Sequence, residues 1–367
     1  MRVSLFRPSI SEAAIQNAAA VLRSGWLGLG PRTKEFEEKF AAYVGAPHCV
    51  GLNSCTSAIH LALHLLDLPE GSEVITTPLT FVSTNHAILY EKLTPVFADI
   101  DRETGNLLVA DVASKITDRT RAMIVVHYGG YPADIDELYS LARDRGIAVI
   151  EDCAHACGAT YRGKRVGSHG DFHAFSFHAV KNLPMGDGGA LTVRSPHHDA
   201  RLRRLRWLGI DKDTYRRTTS ASYDWDYDVP EVGFKYHMND IEAAIGLAQL
   251  DVLDSENARR AEIAASYRAA LSSVGGITLM PQSPDRASSF HLFPVLVDGR
   301  EAFLARMKEA GIGIGVHYRR NDEYPMYRKS HLPNAEWFSE RVVSLPMHLC
   351  LTDDDVAYVT STIASGW

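Results

Sequence analysis

Lys181 is an amine set in an apolar run. The stretch from Phe175 to Ala190 reads Phe-Ser-Phe-His-Ala-Val-Lys-Asn-Leu-Pro-Met-Gly-Asp-Gly-Gly-Ala, so Phe175, Phe177, Val180, Leu183 and Met185 flank the lysine. Lysines are ordinarily solvated, and burial disfavours their charged form. A lysine desolvated in this way becomes a nucleophile able to form a Schiff base with a carbonyl. Gly186, Gly188 and Gly189 permit close backbone approach and a tight turn into Ala190-Leu-Thr-Val193. About thirty residues earlier, Asp152 and His155 form an Asp-x-x-His pair. Asn53-Ser-Cys-Thr-Ser57 places hydroxyls where a strand turns into a helix, and a helix N-terminus offers free N–H groups to a phosphate. An amine for an aldehyde, hydroxyls for a phosphate and a carboxylate for a ring nitrogen are the groups that a phosphorylated carbonyl cofactor requires.

Each of these residues also has a plainer reading. Ser and Thr are ordinary helix caps, a carboxylate at a strand end often caps the next element, and a single histidine is more often structural. Cys153-Ala-His-Ala-Cys157 has a metal-like spacing, but no second cluster of ligands completes a zinc site. The convergence of the parts, more than any one of them, favours the cofactor.

The elements that must position these residues are legible in the hydrophobic pattern. Ser9-Ile-Ser-Glu12 has capping-box spacing and predicts a helix that stops at Gly25, and a second amphipathic helix follows over Thr33 to Tyr43. From residue 48 onward, buried strands are expected at His48–Leu52, Glu73–Thr77, Thr94–Ala98, Arg121–His127 and Gly146–Asp152. Helical stretches at Ser57–Leu66, Thr84–Tyr90 and Ile135–Arg145 alternate with them. Such alternation predicts an α/β fold with a mostly parallel sheet between helices. Ligands of such sheets bind beyond the carboxyl ends of the strands, where Asn53–Thr56, Asp152 and the segment after Asp171 all fall. Residues 209–233 read as a long excursion, and Asp240 opens a long helix. The expected organisation is a large cofactor-binding domain over 1–249 and a small α+β domain over 250–367, the latter with strand, helix and strand at Phe290–Val297, Glu301–Ala310 and Gly313–Tyr318.

The totals exclude several classes. The chain has 367 residues, 46% hydrophobic and 23% charged, enough for a large domain and a smaller one. A formal net charge of -7 leaves no basic footprint for nucleic acid or an anionic membrane. No apolar run approaches the length of a membrane span, and the opening Met1-Arg-Val-Ser-Leu-Phe-Arg-Pro lacks the order of a signal peptide. Cys49, Cys55, Cys153, Cys157 and Cys350 are scattered in mostly apolar stretches, as reduced thiols of a cytoplasmic protein would be.

With these parts the chain resembles the pyridoxal-phosphate enzymes of fold type I, and within them the DegT/DnrJ/EryC1/StrS group of nucleotide-sugar aminotransferases. The resemblance runs through Gly30-Pro31, Asn53-Ser-x-Thr-Ser57, Thr80-Phe81, Glu151-Asp-x-Ala-His155 and Phe175-Ser-Phe-x3-Lys181. It continues through Gly186-x-Gly-Gly189, Met238-x-Asp-Ile241, His317-Tyr318 and Ser344-Leu-Pro-Met347. It implies a seven-stranded-type sheet and a homodimer with the active site at the subunit interface. It further implies that Lys181 holds pyridoxal 5'-phosphate covalently and that Asp152 pairs with the pyridine nitrogen, with His155 near the ring hydroxyl. Phe81 stands where an aromatic stacks on the ring, and Ser176, Cys55 and Thr56 stand where the phosphate is held. Two positions depart from the group's pattern. Cys55 replaces a usual Gly, and Lys235 replaces an Asn that reaches the partner's phosphate.

The implied activity is transamination of a keto-sugar, nucleotide-linked in such enzymes, with glutamate as donor. A non-sugar ketone or aldehyde of natural-product synthesis is the alternative substrate, since specificity belongs to loops such as 209–233 and 317–328. There Arg319, Arg320 and Arg216 or Arg217 could meet a diphosphate or carboxylate, or simply be solvated. Dehydratase relatives carry His at the lysine position, so Lys181 argues against that reaction. A non-catalytic regulator would be expected to lose the lysine or gain a DNA-binding segment, and neither is present.

Overall fold

The computed structural model describes residues 2–212 and 226–367. Much of the 209–233 excursion, with Arg216 and Arg217, therefore lies outside the described residues.

Two helices open the chain: α1 (Glu12–Ser24) and α2 (Pro31–Val44). The cap of α1 is Ser11, which accepts from Ala14 N, and not the expected Ser9. Gln249 decides this, because it accepts the Ser11 N–H and donates to the Ser9 carbonyl, drawing both residues toward the helix it sits on. Helix α2 starts at Gly30-Pro31, where Asp240 accepts the N–H groups of Arg32 and Thr33 and the Thr33 hydroxyl. A Cβ at Gly30 would overlap the Trp26 ring and the Asp240 carboxylate, so the close approach requires glycine.

The strands that follow are β1 (His48–Leu52), β2 (Glu73–Thr76), β3 (Thr94–Phe97), β4 (Thr120–Val126), β5 (Ala148–Asp152), β6 (Thr160–Tyr161), β7 (Lys164–Arg165), β8 (Phe172–Ser176) and β9 (Gly189–Val193). Seven of them form one sheet in the order β1-β9-β8-β5-β4-β2-β3. All neighbouring pairs are parallel except those made by β9, which runs antiparallel to both β1 and β8. Helices α3 (Cys55–Leu65) and α4 (Val82–Tyr90) follow β1 and β2, each rising from the carboxyl end of its strand. The strand β8 had no counterpart in the expected set. Its residues are themselves in the sheet, so what lies beyond the strand end is the segment from Phe177 onward.

The buried core continues along a single helix, Asp240–Leu271, capped by Asn239 with a reciprocal bond from Glu242. It passes residue 250 without a break. Its first half packs Leu247, Leu250 and Leu253 against Phe36, Phe40 and Phe177, and its second half packs Ile263, Tyr267 and Leu271 against a separate apolar cluster. That second cluster surrounds a three-stranded sheet of Ile277–Leu279, Phe293–Val297 and Val342–Leu345. The expected strand at Gly313–Tyr318 is absent. Only single bridges occur, Val3 with Ile312 and Gly315 with Ser344, so the N-terminal residues close this edge. No helix among the described residues is long and apolar enough to cross a membrane.

Candidate active site

The carboxyl ends of the parallel strands converge on one edge of the sheet, and four of the expected site residues meet there. Asp152 ends β5. Glu151, one residue before it, points to the opposite face, as alternation in a strand dictates. That face is structural: Glu151 is fully buried and accepts from Tyr139 (2.7 Å) and His127 (2.9 Å). His127 Nδ1 takes the Ala133 N–H, which leaves the proton on Nε2 for Glu151. On the site face, Asp152 Oδ2 accepts the Thr84 hydroxyl at 2.7 Å, and Oδ1 accepts the Ala154 N–H at 3.1 Å. Cys55 Sγ lies 3.8 Å from Oδ1.

Lys181 stands on the connection between β8 and β9. The ends of that connection are sealed: Phe177 N bonds to Gly188 O, Met185 N to Phe177 O, and Lys181 N to His178 O. Asn182 donates to Ser289 O (2.8 Å) and Asn257 Oδ1 (2.7 Å), which fixes the loop from behind. Burial lowers the Lys181 pKa from the usual lysine value to about 8, and nearby Asp152 and Cys55 hold it from falling further. The amine therefore has an appreciable neutral fraction near neutrality, as a carbonyl nucleophile requires.

His155 is buried, with Nε2 3.1 Å from the Tyr318 hydroxyl and Nδ1 without a partner. Burial, and then the charges of Lys181 and His317, push its pKa well down, so it is a neutral imidazole. Burial and Lys181 likewise bring His317 to about 4. Burial, and then Asp152, raise the Cys55 thiol, which is protonated at neutral pH.

Opposite Asp152, α3 begins at Cys55, and its cap is Ser54, whose hydroxyl accepts the Ser57 N–H. The N–H groups of Cys55 and Thr56 are the first two of the helix and have no intrahelical acceptor. The Thr56 hydroxyl makes no hydrogen bond among the described residues, whereas Ser57 spends its own on Ser54 O and Asn53 Oδ1. Ser57 thus belongs to the cap. Gly188 pairs with Ser54, and a Cβ on Gly189 would overlap the Ser54–Cys55 backbone, so the glycine cluster after Lys181 seats β9 against this helix start. Ser176, buried at the end of β8, accepts the His178 N–H at 3.4 Å.

Phe81 precedes α4 with its ring 59% exposed, a large apolar face turned outward beside Tyr318. Lys235 is not brought to Lys181. Its ammonium lies 3.4 Å from the centroid of the Trp207 ring, and its backbone bridges that residue. Of the loop arginines, Arg320 is buried and bonded twice to Asp322, while Arg319 is exposed and pairs with Glu323. The structure also adds residues that the sequence did not single out: Thr84 on Asp152, Tyr318 on His155, and His291 beside Lys181. Only Tyr318 carried a signal, as part of His317-Tyr318.

Comparison with known proteins accounts for this arrangement. The DegT/DnrJ/EryC1/StrS aminotransferase family profile matches residues 8–364. The chain belongs to this family. Spore coat polysaccharide biosynthesis protein SpsC of Bacillus subtilis is 39% identical over 97% of this chain and 95% of its own length. AtS13 from Actinomadura melliaura is 44% identical, with a TM-score of 0.93 over 100% of this chain and 99% of that one. The sugar aminotransferase CalS13 from Micromonospora echinospora is 38% identical, with a TM-score of 0.92 over 100% of both chains. The protein is a fold-type I aminotransferase, and the cofactor of its family is pyridoxal phosphate. The residues present fit that group. A buried amine and a carboxylate lie close enough for their charges to interact, N–H groups without an intrahelical acceptor and a hydroxyl sit at a helix start, and a buried imidazole nitrogen lacks a partner.

Proposed function

We propose that this DegT/DnrJ/EryC1/StrS aminotransferase moves the amino group of glutamate to the ketone carbon of a sugar carried on a nucleoside diphosphate. The observation that carries the reading is the buried Lys181 amine, close enough to Asp152 for the two charges to interact, with burial lowering its pKa to about 8. The sugar part is supported by CalS13, a sugar aminotransferase, and by SpsC, a protein of polysaccharide biosynthesis.

Pyridoxal phosphate, when bound, supplies an aldehyde for amines and an electron-poor ring that stabilises negative charge on the adjacent carbon. Lys181 would hold that aldehyde. Asp152, kept in place by Thr84 and the Ala154 N–H, would hold the proton on the ring nitrogen. His155 would lie near the ring hydroxyl, Phe81 would cover the ring face and exclude water, and Ser176, Thr56 and the Cys55 N–H would bind the phosphate. Released by the donor amine, the Lys181 nitrogen would take up a proton from the donor carbon and return it on the cofactor side.

The protein would act as a cytoplasmic homodimer, with Lys235 of the partner subunit reaching toward the phosphate. Residues 1–249 carry the cofactor in this reading and residues 250–367 cover it.

Purified protein incubated with pyridoxal phosphate should gain a visible absorbance that glutamate removes, and Lys181→Ala should gain none. Absence of a Lys181-dependent band would overturn the reading. A thermal-shift screen of the glutamate-treated protein against nucleotide sugars tests the substrate class. A selective shift with one nucleotide is expected, whereas indifference to all would move the assignment to a non-sugar ketone.

A further inference from the structure

His291 is buried and touches Lys181, with Nε2 3.4 Å from Nζ. The segment that carries it is built into both halves of the site. Ser289 Oγ donates to His155 O at 2.6 Å, and Ser289 O accepts Asn182 Nδ2, so one residue ties the Asp152–His155 turn to the Lys181 loop. Ser289 N and Leu292 N bond to the carbonyls of Gly130 and Gly129. Gly130 has φ +97, and a Cβ there would come within 2.7 Å of His155 O and 3.2 Å of His291 N, so the segment lies as close as glycine allows. The imidazole itself is clamped between Phe6, stacked at 5.9 Å, and the His155 ring at 4.5 Å. Nδ1 of this ring has no partner, and its one polar contact is made by Nε2 toward the lysine.

The sense of the contact follows from chemistry. An ammonium has only donors, so Nε2 accepts and the ring proton resides on Nδ1. Burial, and then the charges of Lys181, His155, Arg260 and His317, keep His291 neutral, which leaves Nε2 free to accept. The other titratable groups near the amine are Asp152, Cys55, His155 and His317.

We propose that His291 is a positioning residue for Lys181, accepting a hydrogen bond from its nitrogen whenever that nitrogen is not joined to the cofactor. The inference rests on the reading of Lys181 as the cofactor-binding lysine. A released lysine on a flexible four-carbon stem would otherwise sample many rotamers, and a proton carrier must stay within reach of its donor. His291 gives it one place to wait.

The test uses cofactor-free protein, competitive acetylation with acetic anhydride as a function of pH, and mass spectrometry of the Lys181 peptide. Wild type should label with a midpoint near pH 8. His291→Phe preserves the stacking but removes the acceptor, so the ammonium loses a hydrogen bond and the midpoint should fall by about one pH unit. His291→Gln, which places an amide near the Nε2 position, should restore most of it, and His291→Asn, too short to reach, should not. In the holoenzyme the glutamate-driven loss of visible absorbance should slow roughly 10-fold in the Phe and Asn variants and recover in Gln. A purely structural ring would show equal effects for Gln and Asn, and that result, or an unchanged midpoint in folded His291→Phe, overturns the inference. If wild type itself shows no Lys181-dependent absorbance, the functional reading falls, while the labelling still decides whether His291 holds the amine.

Discussion

Thr84 donates a 2.7 Å hydrogen bond to Oδ2 of Asp152 across 68 residues of sequence. Both side chains are buried, and the Thr84 oxygen lies 2.9 Å from that of Thr80, so a short chain of hydroxyls leads to the carboxylate. Thr84→Val keeps the shape and removes the donor. Hydrogen bonds to charged groups contribute roughly 1.5–3 kcal/mol, so cofactor affinity, read by titrating the visible absorbance, should weaken by about 10-fold or more. Unchanged affinity would mean that Thr84 serves the fold alone.

Tyr318 should behave differently. Its hydroxyl is the one hydrogen-bond partner of the His155 ring among the described residues. Tyr318→Phe leaves a buried imidazole with no partner at either nitrogen. We expect a loss of about 1–2 kcal/mol in stability by chemical denaturation and a roughly 10-fold fall in kcat, with little change in the KM for glutamate.

The two neighbouring arginines should separate cleanly. Arg320, bonded twice to Asp322 and once to Ser330 O, is 1% exposed and has no surface to offer a substrate. Arg320→Met should lower stability by about 3 kcal/mol, because it strands a buried carboxylate, yet leave KM for a nucleotide sugar unchanged. Arg319→Met removes only an exposed pair with Glu323, worth under about 1 kcal/mol. Should either arginine meet a diphosphate, the rise in KM will be in the Arg319 variant.

The acid limit of the fold should be set in part by Glu37. It is buried, accepts the Gly51 N–H at 2.9 Å and pairs with Arg203 at 2.6 Å and with Arg206. Burial opposes its ionisation, but the two guanidinium groups outweigh burial and lower its pKa. A lowered carboxylate pKa contributes stability that is fully present above the unfolded value, about 4.3, and is lost as pH falls through the folded value. Glu37→Gln should therefore cost about 3 kcal/mol at pH 7. The gap in Tm between wild type and variant should narrow as pH drops below about 4. A gap independent of pH would refute an electrostatic role.

Lys181 and Asp152 were legible in the sequence because their signal is local: an amine in an apolar, glycine-flanked run, and a carboxylate at the end of a β-branched strand. Strands β1, β2, β3 and β4 were legible for the same reason, as short apolar runs between helices. Strand β8 was not, because Phe172-His-Ala-Phe-Ser176 mixes polar and aromatic residues, and the partners of its histidine, Thr192 on β9, the Gly170 N–H and Glu151, are set only by the fold. Gly313–Tyr318 misled in the opposite direction. Within it only Gly315 forms a bridge, to Ser344, and Val316 is exposed, so no ladder forms. The contacts of Thr84, Tyr318 and His291 span 68, 163 and 110 residues, so only the closed fold brings them to Asp152, His155 and Lys181. Lys235 was expected from the family pattern alone, and among the described residues its ammonium meets the Trp207 ring.

The helix Asp240–Leu271 has a consequence for motion. At 32 residues it is a rod of about 48 Å whose two ends are embedded in different apolar clusters. A continuous rod of this kind resists bending, so the C-terminal part cannot swing as a free flap the way bodies joined by a flexible strap do. Access for a bulky sugar acceptor and exit of its product must then be arranged at the rim, by the chain on either side of Tyr318 and by Phe81, while the base of the site stays still.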